Sequence, residues 1–261
     1  MLAADVALDR LLARFDAYRI VAAGFRDPDG PLPSDLEVAV LASALRALGR
    51  PLAPETRRAL RAIADREVRA AEHRAIFGHV VADGCPTYET EYGRRHLFGQ
   101  AQELADIAGF FAAVGLRPGP ASERPDHVAC ELEFLAVAAL KEARAVVRGD
   151  DELATRTSEM AGVFVRDHVG RWLPAFAALV ERRAPGSGYA ALAAEAAELV
   201  ADQAVELGVQ PERLGTADLR PIDEAPNGFA FECGPEGLEI EPPGAIPGPG
   251  ADAAEARKGA V

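Results

Sequence analysis

Apolar side chains recur three or four positions apart along this chain, from its start to about residue 207. The clearest stripe lies in residues 6–21 and consists of Leu8, Leu11, Leu12, Phe15 and Tyr18. This spacing places the apolar side chains on one face of an α-helix, and no strand-like alternation of any length is present. The sequence therefore predicts an all-α fold, a single globular helical bundle of six or more principal helices.

Two segments predict how this bundle is built. Residues 125–147 are apolar on nearly every side, which is typical of a helix in the centre of a fold. Residues 151–183 predict one long helix that Pro174 kinks or divides near Trp172, because proline lacks the amide that the helix needs there. An indole beside a proline is a natural packing anchor, so we interpret Trp172 and Pro174 as structural residues.

The end of the chain differs in composition from the rest. Residues 208–261 contain 8 Pro and 9 Gly, with 10 acidic against 4 basic residues. We therefore assign residues 1–207 to an all-helical domain and residues 208–261 to an acidic Pro/Gly-rich tail. The first half of the tail carries apolar residues that suit packing on the helices, whereas residues 242–261 are expected to be disordered.

Charge and hydropathy exclude several classes of protein. With 28 Lys+Arg and 41 Asp+Glu the net charge is −13, which disfavours nucleic acid and anionic lipid and suits a basic partner. No signal peptide and no uncharged run of about 18 residues is present, so we expect a cytoplasmic protein without stable membrane insertion. The three cysteines, Cys85, Cys130 and Cys233, are too scattered for a disulfide scaffold and are expected to be reduced thiols.

The sequence lacks the motifs of the common enzyme classes. None of its five histidines follows a glutamate by three positions, as a two-metal helical bundle requires. A P-loop, a nucleophile elbow, a Rossmann glycine pattern and a Cys-x-x-Cys are also absent. We therefore predict no enzyme activity and no cofactor. One alternative stays open, a metal- or cofactor-handling helical protein that uses His127, Cys130 and Glu131.

Three local motifs stand out from the helical background. They are Cys-Pro-Thr-Tyr-Glu-Thr-Glu-Tyr at residues 85–92, Glu-Arg-Pro-Asp-His at 123–127, and Phe-x-x-x-His-x-x-x-Trp-Leu-Pro-x-Phe at 164–176. In the second motif Pro125 suits the first position of a helix, which places Asp126 and His127 in the positive first turn. The helix field there favours the Asp126 carboxylate and disfavours a charged His127.

The order of these motifs resembles the TorD/DmsD/NarJ family. Between them lie two further matching segments, Ala-Asp-Ile-Ala-Gly-Phe-Phe at residues 105–111 and Glu-Leu-Glu-Phe at residues 131–134. The match covers about residues 77–180 and is most similar to the branch that serves enzymes of the dimethyl sulfoxide reductase type. The resemblance implies a TorD-like helical fold and the role of a cytoplasmic chaperone in the assembly of molybdopterin-containing oxidoreductases.

The resemblance also implies a partner and a binding site. Family members bind the twin-arginine leader of the molybdopterin-containing catalytic subunit and hold that subunit until its cofactor has been inserted. The family's leader-binding Pro-Asp-His element falls on Pro125, Asp126 and His127. Carboxylates and rings that suit guanidinium groups and an apolar stretch accompany it: Glu123, Glu89, Glu91, Tyr88 and Tyr92. Relatives occur as monomers and as helix-exchanged dimers, and the sequence is compatible with either state.

Overall fold

The computed structural model describes residues 2–78, 85–93, 97–117, 119 and 123–215. Within these ranges lie nine α-helices, in chain order α1 (Leu2–Phe25), α2 (Val38–Ala47), α3 (Pro54–Ala62), α4 (Arg66–Phe77), α5 (Leu97–Ala113), α6 (Val128–Arg148), α7 (Asp151–Asp167), α8 (Val169–Arg183) and α9 (Gly188–Glu206). These ranges contain no β-strand, so the predicted all-α fold is confirmed. None of the helices described combines the length and the apolar character that crossing a membrane demands.

Helix α6 lies at the centre of the bundle, as its sequence predicts. It packs lengthwise against α1 and also contacts α7 and α8. Its buried side chains come from several faces and include Val128, Leu132, Phe134 and Leu135, all without exposed surface. A helix with partners on several sides is apolar on most of its surface, because a polar side chain buried there is unfavourable unless it gains a hydrogen bond.

The prediction of one long helix over residues 151–183 is wrong. The chain leaves the helical conformation at His168, with φ −124° and ψ −105°, and the segment forms the separate helices α7 and α8. Pro174 lies inside α8 and is not the point of division. The break comes where the His168 ring turns towards side chains of other segments, which the local sequence does not reveal.

Two loops bring two of the sequence motifs together. We call residues 85–93, between α4 and α5, the tyrosine loop; it contains a 3₁₀ turn, Glu89–Glu91. We call residues 123–127, immediately before α6, the Pro-Asp-His loop. Cys85 in the first of these loops is a free thiol, as is Cys130 in α6, whereas Cys233 lies outside the described residues.

The start of the predicted tail contacts the helices. The backbone amide of Leu214 donates to the carbonyl of Arg171 in α8 at 2.9 Å. Val209 and Leu214 also pack against the hydrophobic core. The rest of the tail, including the end predicted to be disordered, lies outside the described residues. The domain boundary at residue 207 therefore stays a prediction.

Candidate functional site

The tyrosine loop and the Pro-Asp-His loop lie side by side. Tyr88 and His127 form an antiparallel backbone bridge, and their ring centroids are 5.1 Å apart. The amide of Glu89 donates to the carbonyl of Asp126 at 2.9 Å. Two motifs that are separated along the chain therefore form one structural unit at the start of α6.

Asp126 is the buried centre of this unit. Its side chain has no exposed surface, and both carboxylate oxygens accept hydrogen bonds from Arg124, with Nε donating to Oδ1 at 3.0 Å and Nη2 to Oδ2 at 2.8 Å. The Thr90 hydroxyl donates to Oδ2 at 2.8 Å. The Arg124 guanidinium carbon lies 4.4 Å from the ring centroid of Tyr88. A carboxylate, a hydroxyl and an aromatic face thus surround one guanidinium group.

His127 caps α6 instead of lying inside it. Its Nδ1 accepts a hydrogen bond from the amide of Ala129 at 3.2 Å, and α6 begins at Val128. The prediction that Pro125 opens this helix is therefore wrong. Burial lowers the pKa of His127 to about 4, against the opposing charges of Glu123 and Asp126. The ring is neutral at neutral pH, as the helix field suggested, but burial is the main cause.

The open side of the unit carries the accessible groups of the predicted site. The Tyr88 hydroxyl donates to Glu123 Oε2 at 2.9 Å, and Glu123 is exposed. Burial, followed by this hydrogen bond, raises the pKa of Tyr88. Tyr88, Glu91 and Pro125 are partly exposed. Of the predicted site residues, these four are the ones that a peptide in solution reaches without rearrangement.

Glu89 points inward and pairs with a histidine. His168 Nδ1 lies 3.1 Å from Glu89 Oε2, and its Nε2 lies 3.2 Å from Asp106 Oδ2 in α5. Burial alone lowers the pKa of His168, but the hydrogen bond and charge of Glu89, together with Asp106, outweigh it, so that the net shift is upward. This triad ties the tyrosine loop to α5 and to the break between α7 and α8.

Trp172 and Tyr92 also belong to the interior. Trp172 has no exposed surface, and its Nε1 donates to Glu131 Oε2 at 3.0 Å. The Tyr92 ring centroid lies 5.0 Å from the indole, and its hydroxyl donates to the Pro86 carbonyl at 2.8 Å. Burial, reinforced by the charge of Glu89, raises the pKa of Glu131 well above its usual value. Burial thus favours the protonated form of the Glu131 carboxyl.

The metal-site alternative is not supported. No group of three His, Cys, Asp or Glu side chains that could hold a metal occurs among the residues described. His127 uses Nδ1 to cap α6, the Cys130 thiol donates to the Glu123 carbonyl, and Glu131 turns inward to the indole. The three side chains share a stretch of sequence but point to different partners, so the interpretation as a metal site is wrong.

Sequence reasoning missed three residues that build the site. Arg124, Thr90 and Asp106 all lie within the segments that resemble the family, but the pattern does not indicate a functional role for any of them. The signal for Arg124 was its place two residues before a predicted arginine-binding aspartate. Such spacing does not predict a salt bridge by itself, because the two side chains meet only in the loop conformation that precedes α6.

Comparison with known proteins agrees with this architecture. A protein 40% identical over 117 residues is the selenate reductase assembly chaperone protein of Thauera selenatis; the aligned region is 45% of this chain and 58% of that relative's length. The sequence model of a family described as the nitrate reductase delta subunit matches residues 37–178, which is more than half of the chain. This span includes both loops and helices α2 to α7, with most of α8. The chain therefore belongs to the nitrate reductase delta subunit family, in agreement with the resemblance to TorD, DmsD and NarJ.

Proposed function

We propose that this protein is a cytoplasmic assembly chaperone for a molybdopterin-containing oxidoreductase. It binds the twin-arginine leader of the apo catalytic subunit and holds that subunit until its cofactor has been inserted. Family membership and the aligned selenate reductase assembly chaperone support this class of function. The single observation that carries the leader-binding part is the guanidinium environment around the Asp126 carboxylate.

The chemistry of that environment suits arginine and disfavours lysine. A carboxylate that accepts two parallel N–H bonds matches the planar fork of a guanidinium, whereas an ammonium group presents a single charged point. The Tyr88 ring adds a flat face on which a guanidinium stacks. Glu91 and Glu123, on the open side of the same unit, supply carboxylates for a second arginine. The net charge of −13 attracts a cationic leader over longer distances.

Calorimetric titration with a synthetic leader peptide tests the proposal. We expect binding at micromolar concentration to the peptide with two arginines, and at least about tenfold weaker binding when both arginines are lysines. Higher salt should weaken binding, because part of the attraction is long-range. Equal binding of the two peptides would contradict arginine recognition. Binding of neither peptide would exclude leader recognition and leave only the body of the catalytic subunit as a client surface.

Charge-matched variants locate the site. Glu123→Gln and Glu91→Gln remove one accessible carboxylate each from the open side, and we expect each to weaken leader binding several-fold. Glu159→Gln removes the same charge from the exposed surface of α7, outside the site, and should bind as the unmodified protein does. If all three variants lose affinity equally, only the net charge matters and the assignment of the site is wrong.

A further inference from the structure

Arg124 already satisfies the site that the proposed function assigns to an arginine of the leader. Its guanidinium makes both bonds of the fork to Asp126 and lies against the Tyr88 ring. Its Nη2 also donates to the Thr90 hydroxyl at 3.0 Å. These are the contacts expected of an arginine side chain from a bound peptide, but here the chain itself supplies the arginine.

Because Asp126 is buried, Arg124 and an arginine of the leader cannot bind its carboxylate at the same time. Asp126 has no exposed surface, whereas the Arg124 side chain is 46% exposed. Of the two side chains that donate to Asp126, Thr90 is buried and Arg124 reaches the surface. A guanidinium from outside therefore reaches the Asp126 carboxylate only by taking the place of Arg124.

Such an exchange keeps the buried Asp126 carboxylate paired with a guanidinium. When Arg124 leaves, its charge enters water, where nearly half of its side chain already lies. The incoming guanidinium takes over the same carboxylate, hydroxyl and ring, so no buried charge is left unpaired. Simple removal of Arg124 is costly, because the carboxylate of Asp126 would then stay buried without its cation. Replacement by another arginine avoids that cost.

We infer that Arg124 is an internal competitor that occupies the arginine site in the free protein and is displaced by an arginine of the client. This inference rests on the proposed function, because the displacing group is an arginine of the leader. The apparent affinity for the client is then the intrinsic affinity multiplied by the fraction of molecules in which Arg124 has left the site. Peptides whose arginine makes poor contacts with the site bind weakly, because they must compete with the Arg124 guanidinium, which is always present.

The opposite interpretation is a permanent structural salt bridge. In that case Arg124 never leaves Asp126, and leader peptides bind only to the exposed surface. The two interpretations predict opposite effects of removing the Arg124 guanidinium. If Arg124 is a competitor, its removal raises the affinity for the leader. If Arg124 forms a structural salt bridge, its removal disorders the Pro-Asp-His loop and lowers that affinity.

The experiment uses two variants of Arg124 and one matched control. Arg124→Ala removes the competitor, and Arg124→Gln keeps a polar side chain of intermediate length in case the alanine variant folds poorly. Arg156→Gln removes the same charge from an exposed pair with Glu152 on α7 and corrects for the gain in overall negative charge. All proteins are full-length, and leader titrations are run with the two-arginine and the two-lysine peptides.

We expect the Arg124 variants to bind the two-arginine peptide about tenfold more tightly than the unmodified protein does, beyond any gain in the control. Unchanged or weaker binding, with the variants still folded, would overturn the inference while leaving leader binding intact. Methylguanidinium at millimolar concentration tests, without any leader, whether the site emptied by Arg124→Ala accepts a guanidinium from solution. It should raise the Tm of Arg124→Ala more than that of Arg156→Gln, and more than methylammonium does at equal ionic strength.

The two readouts separate failure of the inference from failure of the proposed function. Rescue by methylguanidinium without binding of any leader would support an arginine site that Arg124 fills and would refute leader recognition. Leader binding without rescue and without a gain in affinity would support the proposed function and refute the displacement of Arg124.

Discussion

The buried hydrogen bond between Trp172 and Glu131 is expected to contribute strongly to stability. Both residues have no exposed surface, and the indole Nε1 lies 3.0 Å from Glu131 Oε2. Trp172→Phe keeps an apolar ring next to Tyr92 and Phe176 but removes the only donor on the side chain. Glu131 Oε2 then stays buried without its donor, as Oε1 already is, and the smaller ring leaves unfilled volume.

The magnitude follows from these two losses. A buried polar group left without its partner costs about 1–3 kcal/mol. The missing part of the indole adds about 1–2 kcal/mol for lost transfer energy and the cavity. We therefore expect Trp172→Phe to lower the free energy of unfolding by about 3 kcal/mol, a fall in Tm of about 6–12 °C for a domain of this size.

A double-mutant cycle separates the hydrogen bond from the ring. Urea unfolding is followed by far-ultraviolet circular dichroism, because the variant lacks the only tryptophan of the chain. In the Glu131→Leu background the indole N–H lacks its acceptor, so Trp172→Phe should cost at most the part due to the ring, with a coupling of at least about 1–2 kcal/mol. Additive effects within about 0.5 kcal/mol would refute the claim that this hydrogen bond stabilises the core.

Three further predictions follow from the buried titratable groups and the glycines. His127→Asn keeps a side-chain cap on α6 but cannot titrate. Because the pKa of His127 is lowered to about 4, the unmodified protein should lose more stability than the variant as the pH falls from 6.5, which thermal melts at pH 5 and pH 7 will show. Glu131→Gln mimics the protonated carboxyl. Because the pKa of Glu131 is raised, the unmodified protein loses stability as the pH rises above 4.5. The Tm of the variant relative to the unmodified protein should therefore rise between pH 5 and pH 8 in the same assay. Gly188→Ala places a Cβ 2.3 Å from Ile63 Cγ2 and should lower the free energy of unfolding in urea by about 1–3 kcal/mol. Gly109→Ala places its Cβ in open space on α5 and should raise that free energy by about 0.5–1 kcal/mol. Similar effects at both positions would contradict this prediction.

The helices themselves were predictable because their signal is local. The helix α1 and the all-round apolar character of α6 follow from spacing within single segments. Packing agrees with the prediction for α6 but only in part for the stripe of α1, where Leu11 and Tyr18 are buried and Leu12 is 41% exposed. The division between α7 and α8 was not predictable in the same way. His168 leaves the helix where its ring pairs with Glu89, which lies 79 residues earlier in the chain.

The candidate site shows the same limit. The motif order predicted that the tyrosine loop and the Pro-Asp-His loop are important, and the structure brings them together through the bridge between Tyr88 and His127. Spacing along the chain gave no indication that Asp126 is fully buried or that Arg124 is its partner. Burial and pairing depend on which segments close over a residue, and together they decide whether a carboxylate is accessible to a ligand.

The sequence by itself therefore determined the all-α class and the family of this protein, because helical periodicity and ordered motifs are properties of contiguous residues. Only the tertiary structure decided that Glu131 is held as a buried acid beside Trp172 and that Arg124 occupies the cradle around Asp126. The physical reason is that desolvation and salt-bridge geometry arise from the packing of segments far apart in the chain, and no local pattern encodes them.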